Sequence, residues 1–208
     1  MPKFILALFI GLFAQSVLVA PAPTFQPFFA EKYGTSKTVY GLIFTGIIFV
    51  AIGLGSALSV LLEKSIGTRL SILLGALLTF IGFLMVGPSP LLGPTFEQTG
   101  LWEGIFGVTV MLLGNTFPMV LGPPLGLSIA QSYGMSEEEA SIKTATYAIV
   151  VTAFAQALGP VPESLLAASL GLGVANTIVG ASVFGAIMLC LLLIGGQPSS
   201  SSQTAQLV

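Results

Sequence analysis

The sequence predicts an all-α integral membrane protein, a bundle of six helices. Three observations predict it. The 208 residues hold stretches about as long as the ~20 residues a helix needs to cross a bilayer, with almost no charge inside them. Charged residues make up 7% of the chain and hydrophobic residues 54%, with a mean hydropathy of +1.01. A soluble domain carries roughly a quarter charged residues and needs them to clothe its surface. Finally, charges gather between the apolar runs, at Lys64 and Arg69 and at Glu137, Glu138, Glu139 and Lys143.

The first run extends from Phe4 to about Ala30, bent at Pro21, Pro23 or Pro27. A second reading of its start is a signal peptide. Lys3 would be the basic region, and Ala20-Pro21-Ala22 loosely resembles a cleavage site. The second run, Val39 to Leu62, is rich in Gly and Ser, which let helices approach closely in lipid. A charged turn leads to the third run, Leu70 to Val86, closed by Gly87-Pro88. A loop with Pro94 and Glu97 precedes Trp102, an interface anchor. The fourth run, from about Leu101 to Ala130, contains Pro118, Pro123 and Pro124 and is expected to bend or break.

Ser136 reads as an N-cap with Glu139 at the third helical position. The fifth run, Ala140 to Leu158, ends at Gly159-Pro160, and the sixth runs from about Leu170 to Ile194. Residues 1–195 thus form one six-helix domain, and 196–208 a flexible tail. With six crossings, Lys3, Lys64, Arg69 and Lys143 share one side and Lys32 and Lys37 the other. That bias places both termini and the tail in the cytoplasm.

Composition excludes several functions. There is no His and no Asp, so no Ser-His-Asp triad and no His-ligated metal can form. No enzyme activity, cofactor or metal is expected. A net charge of −2 offers no basic surface for nucleic acid. Cys190 is alone, so no intrachain disulfide forms.

Polar residues within the runs must face other helices or a watery path. The first run has Gln15 and Gln26, about three turns apart on nearly one face. The second has Thr45, the fourth Asn115, and the fifth Thr152 and Gln156 one turn apart. The third and sixth runs carry few such groups. Runs one, two, four and five therefore read as a lining, and three and six as lipid-facing supports. Each polar group also reads as plain interhelical glue at about 0.6 kcal/mol. Glu103 is the one acid this reading places close to a run, at its interfacial start, and no acid is expected at mid-membrane depth.

The turn S-A-L-S-V-L-L-E-K-S-I-G-T-R-L-S-I-L-L-G resembles the loop signature of the major facilitator superfamily, G-x-L-x-D-R-x-G-R-R. Glu63, Lys64, Gly67 and Arg69 match its acid, base, turn glycine and second base. Glu replaces Asp, one residue further from the glycine, and Ser59 replaces the leading glycine. The segment F-A-E-K-Y-G-T-S-K-T-V-Y-G-L-I-F is similar to the outer loop and following helix in the C-terminal half of vesicular amine and polyamine transporters. Gly87-Pro88 and Gly159-Pro160 fit the same half.

The resemblance covers about residues 3–190 and implies one half of a twelve-helix transporter. It implies secondary active transport of a small organic solute, an amine or polyamine exchanged for protons, by alternating access. A second six-helix half, or a second copy as a homodimer, would complete the cavity. Gln15, Gln26, Thr45, Asn115, Thr152 and Gln156 would line the pathway, and Glu63 and Arg69 would form a polar latch. The other reading is a non-transporting membrane partner, or a truncated half, of a full-length transporter.

The orientation predicts that reporter fusions at Lys3 and Val208 report the same side of the membrane. Opposite sides would require an odd number of crossings.

Overall fold

The computed structural model describes residues 2–19, 21–87, 89–92 and 100–195. Among them every extended element is helical: α1 (Pro2–Val19), α2 (Ala22–Tyr33), α3 (Lys37–Ile66), α4 (Thr68–Val86), α5 (Leu101–Ser132), α6 (Glu137–Leu158), α7 (Pro160–Leu170) and α8 (Leu172–Ile194). A short 3-10 turn covers Pro90–Leu92. Taken as continuous spans, these make six helices long and apolar enough to cross a membrane, with α1 and α2 forming the first and α6 and α7 the fifth. The chain therefore has the build of a multi-pass membrane protein. Helices satisfy their backbone groups internally, as lipid demands. Ala20, Pro88, Pro94, Glu97 and the tail 196–208 lie outside the described residues.

Local sequence sets the ends. Ser36 caps α3 by accepting from the Val39 N–H at 3.3 Å. Ser136 caps α6 the same way, accepting from the Glu139 N–H at 3.2 Å. Glu137, Glu138 and Glu139 sit in that first turn, where the helix dipole favours negative charge. A single residue, Gly67 at φ 83°, joins α3 to α4, a conformation that side chains with a β-carbon rarely adopt.

Of the three prolines offered for its bend, the first span breaks at Pro21, while Pro23 and Pro27 lie within α2. Two boundaries differ from expectation. The fourth stays one helix through Pro118, which is buried, and through Pro123 and Pro124, which are exposed. The fifth does not end at Gly159-Pro160. Gly159 keeps right-handed helical angles (φ −54°, ψ −46°), its N–H donates to the Ala155 carbonyl at 2.8 Å, and Pro160 opens α7. Proline is well accommodated in a first helical turn, so the pair bends the span without ending it.

α5 is the centre, with 16 buried residues among its 32. It lies antiparallel along α4 at a glycine seam. A β-carbon on Gly114 would stand 2.6 Å from the Gly75 carbonyl oxygen and 2.6 Å from the Thr79 nitrogen. One on Gly82 would overlap the Met111 backbone. On its other sides α5 meets α1, α3 and α6, and α4 also meets α8. α1 buries Phe4, Ala7, Ile10, Ala14 and Val17, a stripe at three- and four-residue steps. α4 is thus an enclosed element rather than an outer support. It buries Ser71, Gly75, Thr79 and Phe83, whereas α6 buries only Ala140, Thr144 and Ala155. Exposed apolar side chains such as Leu42, Phe49, Ile149 and Leu192 face what would be lipid.

Gly82→Ala or Gly114→Ala should each cost about 2 kcal/mol or more in a reversible denaturation assay, because backbone atoms cannot yield to overpacking. Gly46→Ala, with open space around it, should stay within about 0.5 kcal/mol of the parent.

Candidate functional site

Three of the polar residues singled out in the sequence lie at one depth. Gln15 is 13 and 18 residues from the ends of its span (Pro2–Tyr33), Asn115 is 14 and 17 from its ends (Leu101–Ser132), and Thr152 is 15 and 18 from its ends (Glu137–Leu170). Each is within roughly 4 Å of its helix midpoint at 1.5 Å per residue. Gln15 and Thr152 line one cleft with Gly11 on α1, Met119 and Gly122 on α5, and Thr144 on α6. Asn115 stands behind it. Its Nδ2 donates to the Ala14 carbonyl at 2.9 Å and to the Met119 sulfur at 3.4 Å, which ties α5 to α1 and steadies the cleft wall. The Asn115 Oδ1 and the Thr144 Oγ1 are buried without hydrogen-bond partners.

The cleft holds about 50 Å³. That suits a water or two, each needing roughly 30 Å³, and is too small for an organic solute. Gln156 and Thr45 are exposed, on α6 and α3, and do not join it. Gln26 lies on α2, eleven residues beyond Gln15 and past the Pro21 break, and is half-buried.

The buried acid that sequence reasoning missed is Glu163. It sits in the first turn of α7 and is fully buried. Its Oε1 accepts a hydrogen bond from the Thr24 hydroxyl at 2.8 Å, and Thr24 Oγ1 also lies 3.0 Å from the Pro21 carbonyl. Its Oε2 is buried without a partner. Glu163 is about ten residues past the midpoint of Glu137–Leu170, roughly 14 Å along the axis. The half-thickness of a hydrocarbon core is about 15 Å, so a span centred in a bilayer would hold this acid at the edge of the core rather than at mid-depth. Ending the fifth run at Gly159-Pro160 had placed it in a loop. The available signal was V-P-E-S-L-L-A-A-S-L, an acid followed by an apolar run in the turn after a proline start.

Glu103 is exposed in the first turn of α5, and its carboxylate folds back to the Gly100 end of that helix. Trp102 beside it is exposed as well.

The signature turn is built differently from the expected latch. Glu63 Oε1 accepts from the Thr68 hydroxyl at 2.7 Å, across the Gly67 corner. Arg69 makes no ion pair with it, whereas Lys143 pairs with Glu139 at 2.8 Å. Arg69 Nη2 is buried without a hydrogen-bond partner, and Lys64 is exposed. With Gly67 as the sole connecting residue, the Thr68 hydroxyl is brought back within reach of the carboxylate that ends α3. Comparison of the chain with known protein families, with curated proteins and with solved structures found no match.

In a double-mutant cycle, Glu63→Ala and Thr68→Val should couple by about 1 kcal/mol, the net worth of one half-buried hydrogen bond. Glu63→Gln and Arg69→Ala should couple near zero. The reverse ranking would restore the Glu63–Arg69 latch.

Proposed function

We propose that the chain is one six-helix half of a facilitator-type secondary transporter for a small organic solute. A second six-helix bundle, another copy or a separate partner, would complete the transport cavity. The observation that carries this reading is the common depth of Gln15, Asn115 and Thr152, with Gln15 and Thr152 on one cleft. Polar groups at the middle of a membrane are expensive and mark substrate or ion paths. Transporter sites lie near the midplane, at the interface between repeats. A cleft that fits only water is what one wall of such a site would offer. The partly open α3 and α6, with polar Thr45 and Gln156 on their surfaces, give a second bundle something to face.

The resemblance to vesicular amine and polyamine transporters points to a protonatable organic cation exchanged for protons. Alternating access would then rock one bundle against the other, with the glycine seam keeping each bundle rigid. The Gly67 corner would set the relation of α3 to α4 during that motion.

Purified protein in liposomes, screened over organic amines with an imposed pH gradient, should take up at least one of them. Gln15→Ala and Thr152→Val should each lower that uptake by roughly tenfold, with insertion unchanged. Uptake insensitive to both substitutions would take the cleft out of the pathway, and no uptake with or without a co-expressed second bundle would leave a non-transporting membrane partner as the better reading.

A further inference from the structure

The mid-depth cleft between α1, α5 and α6 holds oxygen atoms that nothing in the described chain uses. Gln15 and Thr152 line it, both half-buried, and neither side chain makes a hydrogen bond among the described residues. Thr79, Thr109, Thr116 and Thr177 each donate to the carbonyl four residues back, which satisfies them within their own helices. Thr152 does not.

A third oxygen comes from the backbone. The Met119 carbonyl would ordinarily accept from the N–H four residues on, but that residue is Pro123, and the next is Pro124. Met119 and Pro123 both line the cleft. Residues four apart share a helix face, so this carbonyl belongs to the cleft wall. Gly11 and Gly122 line the same cleft and bring no side chain to cover it. Pro123 is exposed, so the cleft opens on the bundle surface.

No acid or base lines the cleft. A divalent ion takes carboxylates among its ligands, and none is present there. An anion would meet the negative end of the carbonyl. We propose that the cleft binds one alkali cation, Na+ in preference to K+, through the Gln15 amide oxygen, the Thr152 hydroxyl and the Met119 carbonyl. Carbonyls released from helical bonding are ligands that such ions take inside membranes. A volume of about 50 Å³ leaves space for a small ion and one water, at roughly 30 Å³ per water, and favours the smaller cation. The lack of His and Asp takes nothing from such a site, because its ligands are neutral. The proposal concerns the cleft of the transport reading but does not rest on transport, since binding needs neither a second bundle nor a solute.

The test is equilibrium binding of radioactive sodium to the purified full chain in non-ionic detergent. Choline is the background cation, and protein-free micelles are the blank. One saturable site per chain is expected, with K+ competing roughly tenfold less well than unlabelled Na+. Thr152→Val keeps the shape and removes the hydroxyl, and Gln15→Leu keeps the bulk and removes the amide. Each should weaken binding by roughly tenfold. Pro123→Ala returns an N–H to the Met119 carbonyl and removes no side-chain ligand, yet it should weaken binding comparably. Thr109→Val, whose hydroxyl bonds within α5 and does not line the cleft, should bind as the parent does.

No saturable binding by the parent would leave the cleft with water only and overturn the proposal. Parent-like affinity in either Thr152→Val or Pro123→Ala, with helical circular dichroism kept, would overturn it as well. Should one of the two fail to fold, the other decides alone. Sodium binding without uptake of any solute would support this site and count against the transport reading. Uptake without sodium binding would do the reverse.

Discussion

The bundle depends on the close seam between α4 and α5. In lipid, apolar side chains gain little by leaving their surroundings, so helices associate through van der Waals contact and hydrogen bonds. Gly75 and Gly82 on α4 and Gly107 and Gly114 on α5 remove side chains at the points where the two backbones meet. The approach brings the Thr79 hydroxyl, bonded to the Gly75 carbonyl at 2.9 Å, to 3.4 Å from the Met111 carbonyl across the seam. Once α5 is fixed, its other faces place the remaining helices. Asn115 reaches the Ala14 carbonyl of α1, and Thr116 packs into the space left by Gly55 of α3.

Buried polar groups then divide into two kinds. Thr79, Thr116 and Ser71 return their hydroxyls to carbonyls four residues back in their own helices and ask nothing more of their surroundings. Asn115, Thr144, Glu163 and Asn176 keep atoms without partners. Unserved groups are costly in a low-dielectric interior, and they are where water, an ion or a ligand has something to gain. Asn115 lies near the middle of its span, and Thr144, nearer the start of its own, lines the cleft shared by Gln15 and Thr152. Glu163 lies a few turns along, beside Thr24. Asn176 sits beside Gly87, one residue from Thr177, whose hydroxyl is 2.7 Å from that of Ser89.

Both helix breaks bear on Glu163. Pro21 opens α2, and Thr24 follows one turn later; Pro160 opens α7, and Glu163 follows at the same distance. The two prolines therefore bring a hydroxyl and a carboxyl to matching positions on adjoining segments. α2 and α7 pack on each other there, and a single hydrogen bond joins them.

The sequence by itself determined that the chain is helical and holds six apolar spans. Charge is so scarce, and the apolar runs so long, that only a membrane bundle meets the demand for internal backbone hydrogen bonds. Ser136 and Gly67 marked helix ends correctly because capping and positive φ are local matters, decided within three or four residues. The mid-depth polar residues were also legible, since depth along a helix can be counted. Tertiary structure alone decided which helix is central, which polar atoms find partners, and where space remains. α4 looked peripheral because it has few polar groups, yet its glycines make it the most intimate partner of α5, and that depends on a facing backbone. Glu163 looked like a loop residue because Gly159-Pro160 is a strong local stop signal. The packing of α7 on α2 and α8 carries the helix past that signal and buries the acid, and such long-range contacts leave no mark in local sequence.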